Sequence, residues 1–90
     1  MIKADLVTIM AKTAGGSKIS AERAVNAMVT GIIDSLRRGR RVTISGFGTF
    51  VVARRAARNG RDPRTGKQIT IPSAKVPRFR PSRNLKVAIR

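Results

Sequence analysis

Several residue types on which protein chemistry usually depends are missing from this 90-residue chain. It contains no cysteine and no histidine, and only four acidic residues. Without cysteine there is neither a disulfide nor a thiolate metal site, which fits a reducing compartment. Without histidine the commonest general base and metal ligand is absent. Because the few carboxylates form no acid–base pair, we expect no enzyme, no catalytic residue, no metal and no cofactor.

Long apolar runs and aromatic residues are also scarce. No apolar run approaches the roughly 18 residues of a membrane span, and the N-terminus lacks the apolar core of a signal peptide. The strongest amphipathic helix lies in the least charged third, which disfavours a cationic membrane-active protein. The only aromatic residues, Phe47, Phe50 and Phe79, suit either stacking on unpaired bases or a core. In so small a domain the core is favoured.

Positive charge is what the chain has in excess. Its 20 lysines and arginines leave a net charge of +16, and fourteen of them are arginines. The first 34 residues carry only +1, whereas residues 35–90 hold sixteen basic residues against Asp62 alone, a net charge of +15. Arginine makes forked contacts with phosphates and base edges. The charge of residues 35–90 therefore predicts a surface that binds a polyanion, with nucleic acid as the first partner to consider.

Two helices are predicted in the N-terminal part. Apolar residues recur at helical spacing from Lys3 to Ala14, and a wider apolar stripe runs from the N-cap Ser17 towards Gly39. A lone 90-residue fold is too small to cover so broad a stripe. We therefore expect an obligate homodimer. The residues of the stripe assigned to the dimer interface and core are Val25, Met28, Val29, Ile32 and Leu36.

Alternation of period two predicts strands after residue 40. The expected strands cover residues 42–45, 49–55, 68–71 and 76–80, with a turn at Gly46-Phe47-Gly48. Pro72 and Pro77 suit a strand edge or an irregular segment. Pro81-Ser82 then begins a short helix. The chain therefore predicts an α+β fold: a helical hairpin, a three-stranded antiparallel sheet with a long β-hairpin arm, and a short C-terminal helix.

The predicted arm is the most basic segment. It spans about residues 53–76, with turn-forming Asn59-Gly60 and an Asp62-Pro63-Arg64-Thr65-Gly66 run midway. Two roles suit Pro63: it forms the tight turn together with Asp62 and Gly66, or it acts as an apolar wedge between base pairs. The two roles are compatible. An extended cationic arm is suited to entering a groove of a polyanion. Its cations are Arg54, Arg55, Arg58, Arg61, Arg64, Lys67 and Lys75.

Further cations lie outside the arm. Five of them follow it within thirteen residues and with no acid among them, so a continuous DNA-facing surface is favoured over a merely solvated face. These cations are Lys3, Arg78, Arg80, Arg83, Lys86 and Arg90.

Specific motifs carry a resemblance to a known family. The run Gly46-Phe47-Gly48-Thr49-Phe50, the arm run from Gly60 to Gly66, Ile71-Pro72 and Phe79-Arg80-Pro81 resemble the bacterial histone-like HU/integration host factor family of DNA-bending proteins. The resemblance covers the full length. It implies an intertwined homodimer whose two arms wrap double-stranded DNA, bending and compacting it with little sequence preference. It also implies a cytoplasmic location on the nucleoid.

The resemblance assigns roles to residues. Arg55, Arg58 and Arg61 are expected on the minor-groove face of the arm, and Pro63 is expected to be the wedge at its tip. Phe47, Phe50 and Phe79 match the interface and core aromatics, while Lys75, Arg80, Arg83 and Lys86 match phosphate contacts. The full set of expected DNA-binding residues is Lys3, Arg55, Arg58, Arg61, Pro63, Arg64, Lys67, Lys75, Arg78, Arg80, Arg83 and Lys86.

Some residues depart from the family pattern. Asp62 stands where asparagine is usual, and Arg61 and Arg64 are placed to neutralise it. Ser20 replaces the usual acidic capping-box residue, and Ile2 the usual Asn or Thr cap, so looser helix starts are expected.

The expected organisation is one DNA-binding domain over residues 1–90. It comprises a helical hairpin and dimer base (1–39), a sheet (40–82) with the arm at 53–76, and the C-terminal helix (83–90). A site preference like that of integration host factor, a heterodimer with a paralogue, and binding of structured RNA stay open as alternatives.

Overall fold

The computed structural model of the chain describes all 90 residues and has a helical part followed by antiparallel strands. This order confirms the α+β class. The helices are α1 (Lys3–Ala14), α2 (Lys18–Arg37) and α3 (Arg83–Ala88). The strands are β1 (Val42–Ile44), β2 (Gly48–Arg55), β3 (Arg58–Arg61), β4 (Gln68–Ile71) and β5 (Ala74–Pro81).

The helical hairpin is defined by its caps. Helix α1 ends at Gly15, which adopts a left-handed conformation with φ of 70° and donates its N–H to the carbonyl oxygen of Ala11. Helix α2 begins at Ser17, whose hydroxyl oxygen accepts the backbone N–H of Ser20 at 3.1 Å. The predicted N-cap at Ser17 is confirmed. Two caps so close in sequence turn the chain back on itself within three residues.

The start of α1 is stabilised by a side chain from within the helix and not by the N-cap residue. Ile2 occupies the N-cap position, and its side chain has no acceptor atom. The carboxylate of Asp5 instead accepts the backbone N–H of Ile2 at 2.7 Å. An acid in the first turn also faces the positive end of the helix dipole. Asp5 therefore offsets part of the cap that Ile2 cannot supply.

The buried core of the chain is small. Val7, Ala21 and Val25 form a cluster between α1 and α2, and Val25 is only 1% exposed. Met10 and Ala11 pack against this cluster. Only five of the 90 residues are buried. So little burial is marginal even for a domain of this size.

A three-stranded antiparallel sheet follows, in the order β1-β2-β5. In the central strand Phe50 lies between Val42 of β1 and Phe79 of β5. The predicted Gly46-Phe47-Gly48 turn differs slightly, because Gly48 already pairs as the first residue of β2. Pro77 lies within β5, which is an edge strand, where its missing N–H breaks no ladder in the sheet interior.

Strands β3 and β4 form a separate two-stranded arm. Its register continues that of β2 and β5, since Arg55 opposes Ala74 and Arg58 opposes Ile71. Pairing is interrupted only at residues 56–57 and 72–73, where Pro72 has no N–H to donate. The molecule is correspondingly elongated, with extents of 59 × 31 × 26 Å.

The prediction of a turn at Asn59-Gly60 was wrong. Both residues lie in β3, where Asn59 opposes Thr70 and Gly60 opposes Ile69. A Cβ atom on Gly60 would lie 2.9 Å from the Cδ1 atom of Ile71. Gly60 therefore leaves room for the Ile71 side chain to pack over β3. The chain reverses direction only in the residues that follow.

Candidate nucleic-acid interface

The cations of the arm are free of acidic partners. The only ion pair in the molecule joins Arg37 to Asp34 at 3.8 Å on the surface of α2. Every arginine and lysine from residue 54 to residue 67 is exposed. Unpaired, solvated cations keep their full attraction for an external anion. The arm therefore presents its positive charge to the solvent, and no internal ion pair neutralises any of it.

The tip of the arm is a tightly bonded turn. The N–H of Asp62 donates to the carbonyl oxygen of Lys67 at 2.8 Å, and the N–H of Gly66 donates to the carbonyl oxygen of Asp62 at 2.8 Å. Gly66 adopts a φ of 70°, which favours glycine. Pro63 is exposed at this tip. The turn thus holds an apolar ring at the far end of a cationic ribbon.

The expected charge neutralisation of Asp62 by its neighbours was wrong. No arginine or lysine nitrogen lies within ion-pair distance of its carboxylate. The side chain instead accepts the backbone N–H of Arg64 at 2.9 Å. This contact two residues along is the usual one for an aspartate in a turn. Its negative charge therefore remains at the tip.

The arm arginines do not share one face. Successive side chains of a strand alternate, so Arg58 projects on the face of Gly60, Ile69 and Ile71. Arg61, three residues on, projects on the opposite face. The expectation that Arg55, Arg58 and Arg61 lie on a single face is corrected for Arg58. An odd spacing within one strand cannot place two side chains on the same face.

One face of the sheet continues the basic surface. By register, Arg80 opposes Thr49, Arg78 opposes Val51, and Ala74 opposes Arg55. Because side chains alternate along a strand, these six lie on one face of the sheet. The register continues without a shift from the sheet into the arm, so Arg61 lies on this same face. Arg78 and Arg80 are exposed. The predicted surface therefore extends from the arm onto the sheet through these two arginines.

The same sheet face holds residues that the sequence analysis did not select. A shallow cavity of about 240 Å³ is lined by Arg41, Thr43, Thr49 and Arg80, among others. The hydroxyl oxygens of Thr43 and Thr49 lie 3.2 Å apart and share a hydrogen bond. The available signal was the dibasic Arg40-Arg41 just before an alternating strand. Arg41 is added to the candidate interface for this reason.

Lys75 does not join this face. It is next to Arg54 in register and alternates with Arg78 and Arg80, so its side chain lies on the other side of β5. There it lines an apolar groove of about 390 Å³ together with residues such as Ile33 and Pro77. Strand parity therefore separates Lys75, an expected phosphate contact, from Arg78 and Arg80.

The remaining expected DNA contacts lie at the two ends of the chain. Ser82 caps α3 by accepting the N–H of Leu85 at 3.1 Å, and its own N–H donates to the carbonyl oxygen of Phe47 at 2.9 Å. Exposed Arg83 and Lys86 are thereby held beside the β1–β2 turn. Lys3 is apart from them on the helical hairpin, where its Nζ atom donates to Asn26 at 3.0 Å.

The aromatic residues form one cluster. The ring of Phe79 lies 5.1 Å from that of Phe47 and 4.9 Å from that of Phe50, measured between centroids. A Cβ atom on Gly48 would lie 2.6 Å from the carbonyl oxygen of Arg80, so this close approach of β2 and β5 requires glycine. Phe47 is nevertheless 42% exposed and Phe79 38% exposed. The cluster is packed but uncovered.

Most of the residues assigned to the dimer interface and core are not buried within the single chain. Val25 is buried, whereas Met28 is 48% exposed and Val29 is 41% exposed. Ile32, Leu36 and Phe50 are half-buried. Their role in an interface with a second copy stays a prediction.

Two other features of the molecule bear on the type of site. No three acidic side chains, the only metal-ligating type present, come together as a group that could hold a metal ion. None of the helices has both the length and the apolar character needed to cross a membrane.

The chain is similar to known proteins over its whole length. The family model described as bacterial DNA-binding protein matches residues 1–90. DNA-binding protein HU of Geobacillus stearothermophilus is 46% identical over 90 residues, covering all of both chains. DNA-binding protein HU-beta of Escherichia coli (strain K12) is 48% identical over 89 residues, covering 99% of both chains.

Solved structures have the same fold. The Anabaena HU–DNA cocrystal structure superimposes with a TM-score of 0.91 at 34% identity, covering 99% of this chain and 97% of that chain. HU from Thermotoga maritima superimposes with a TM-score of 0.70 at 27% identity over the whole of both chains. The resemblance read from the sequence motifs is confirmed by these matches. The protein belongs to the bacterial DNA-binding protein family, together with the HU proteins.

Proposed function

We propose that this chain binds, bends and compacts double-stranded DNA without strong sequence preference, as a single domain over residues 1–90 acting on the nucleoid of the cytoplasm. The observation that carries the proposal is the arm: a ribbon of exposed, unpaired cations that ends in an exposed Pro63. Its relatives are named DNA-binding proteins, and one similar structure is a complex with DNA.

Affinity in this proposal comes from the cations. Arg61 and Arg64 of the arm, with Arg78 and Arg80 of the sheet, contact phosphates and displace the counterions condensed on DNA. Arg58 on the second face of the arm contacts the opposite wall of the groove, because a two-stranded ribbon inserted edge-on has a wall on each side. Contacts to phosphates carry no sequence information. Binding of this kind is general for duplex DNA.

Bending in this proposal comes from the tip. Insertion of Pro63 between base pairs costs a few kcal/mol for each unstacked step. The kink brings flanking DNA towards the basic sheet face, and further phosphate contacts repay that cost. Arg83 and Lys86, both on α3, extend this contact on the sheet side in the proposal. Arms and sheet thus act on the same bent duplex.

We also propose that the working unit is a homodimer. The apolar side chains of α2 and the aromatic cluster are left half exposed in one protomer, among them Met28, Ile33, Phe47 and Phe79. Monomeric soluble proteins rarely leave so many large apolar side chains uncovered. A second copy covers them and supplies a second arm. With two arms the duplex is kinked at two points.

Equilibrium binding to two duplexes of one sequence, intact and gapped, tests the proposed function. A gap removes part of the bending cost, so we expect a preference for the gapped duplex of roughly tenfold or more at near-physiological salt. The preference is expected to persist when the sequence is changed. Equal affinity for both duplexes would mean that the protein coats straight DNA and would overturn the bending proposal.

Two competitors complete the experiment. Random-sequence duplex is expected to compete as well as the labelled sequence, and weak competition by it would indicate a site preference like that of integration host factor instead. Structured RNA is expected to compete poorly, because the deep, narrow major groove and shallow minor groove of A-form RNA do not fit the arm. Stronger competition by RNA than by DNA would contradict double-stranded DNA as the partner.

A further inference from the structure

Asp62 is the one acidic residue among residues 35–90, and it lies at the tip of the arm. Surrounding arginines do not pair with it. Its three polar groups are all used within the turn: the N–H donates to Lys67, the carbonyl oxygen accepts from Gly66, and the carboxylate accepts from Arg64. No other residue of the tip makes three such bonds. The turn is therefore organised around this residue.

The position of Asp62 is directly before Pro63. A proline restricts the backbone of the residue that precedes it and has no N–H of its own. Pro63 therefore contributes no donor to the turn, and its orientation depends on its neighbours. The bond from the Arg64 N–H to the Asp62 carboxylate spans Pro63 from one side to the other at 2.9 Å. Of the side-chain hydrogen bonds in the tip, only this one crosses the proline.

The negative charge of Asp62 is unfavourable for the same function. A carboxylate near phosphates repels them, and no partner in the chain cancels it. Removing the charge should therefore strengthen binding to any duplex. The Asp62 side chain therefore lowers the affinity for DNA, and its contribution to function is to hold the shape of the turn.

We propose that Asp62 is a positioning residue: its carboxylate oxygen holds the turn in which Pro63 projects outwards, and so gives the protein its selectivity for flexed over straight DNA. This inference rests on the function proposed above. Without the bond across Pro63, the tip has to be ordered when DNA binds, and the ordering reduces the advantage of the wedge. The charge acts separately and equally on both kinds of duplex.

Two substitutions separate the oxygen from the charge. Asp62→Asn keeps a carbonyl oxygen for the Arg64 N–H and removes the charge, whereas Asp62→Ala removes both. We expect both variants to bind intact duplex about two- to threefold more tightly, because one repulsive charge is gone. Only Asp62→Ala is expected to lose roughly fivefold of the preference for gapped over intact duplex, since the entropy of ordering the tip is lost only where Pro63 inserts fully, which is at the flexed site. Asp34→Asn changes the net charge equally on α2 and should alter neither quantity.

A measurement without DNA supports the same comparison. Amide exchange of Arg64 should be faster in Asp62→Ala than in the wild type and close to wild type in Asp62→Asn, with unchanged thermal midpoints in all variants. If Asp62→Ala retains the full preference for gapped duplex, or Asp62→Asn loses as much of it, the positioning role is overturned while the bending function stands. If the wild type itself shows no preference, the proposed function fails and this inference fails with it.

Discussion

At the scale of single residues, the two serine helix caps were predictable from the sequence, because a cap depends on its near neighbours. Ser17 and Pro81-Ser82 precede helical patterns, and both serines cap helices as their residue type favours. Asp62 was assigned an ionic role although an aspartate before proline commonly bonds to the backbone two residues on. The error came from weighing charge above local hydrogen bonding. At an exposed site water screens an ion pair, whereas a backbone contact two residues away needs little ordering.

In the proposed mechanism, Pro63 is the residue on which bending depends. Pro63→Ala removes the proposed wedge, while all the cations remain. We expect ring closure of short DNA fragments to become roughly tenfold less efficient, with affinity for intact duplex changed by less than about threefold.

Ser73→Ala is a suitable control for the proline substitution. Ser73 is exposed in the unpaired stretch at the base of the arm, so this variant should close rings as the wild type does. Unchanged ring closure in Pro63→Ala would remove the wedge from the mechanism.

At the scale of elements, strand existence was predictable and strand register was not. Residues 68–71 alternate strictly and form β4 with those bounds. The register of a strand depends on the strands with which it pairs, and these are distant in sequence. Register is what places Lys75 away from Arg78 and puts Arg58 and Arg61 on opposite faces. The sequence therefore did not show on which face of the sheet or arm each basic residue lies.

The two faces of the arm lead to a prediction about salt dependence. If both faces meet phosphates, Arg58→Ala and Arg61→Ala should each reduce the slope of log affinity against log salt by about one unit, on every DNA sequence. The double variant should lose about two units.

Arg23→Ala is the matched control, since it removes an exposed arginine from α2 and should leave the slope unchanged. A normal slope in Arg58→Ala with a reduced one in Arg61→Ala would show that only the face of the arm that carries Arg61 meets DNA.

For the whole molecule, the hydrophobic pattern was sufficient to predict the fold class, and the resemblance of specific motifs indicated the family. Membership of the bacterial DNA-binding protein family confirms the expectation that the chain is not an enzyme. The core was harder to predict, because the apolar stripe of α2 does not reveal which side chains are covered within one copy. Val25 is covered by α1, whereas Met28, three residues on, is left half exposed.

The proposed dimer predicts the effect of a charge on this exposed stripe. Met28→Asp places a carboxylate where a second copy would cover it, and an unpaired buried charge is strongly unfavourable. We expect the dissociation constant of the dimer to rise by roughly a hundredfold or more in sedimentation equilibrium. DNA affinity should fall with it, because two arms no longer act together.

Thr8→Asp adds the same charge at an exposed position of α1 and should leave the dimer intact. Wild-type protein that sediments as a monomer at micromolar concentration would contradict the dimer proposal directly.

The interruption at residues 56–57 and 72–73 has a mechanical consequence. Strand pairing resists bending of a ribbon, so compliance is concentrated where pairing is missing. We therefore expect the segment from Arg58 to Ile71 to move as one unit about that point, so that a small change of angle there displaces the tip most. If the proposed function holds, the protein would follow duplexes of different curvature by adjusting two short stretches of backbone, while the sheet and the helical base keep their shape.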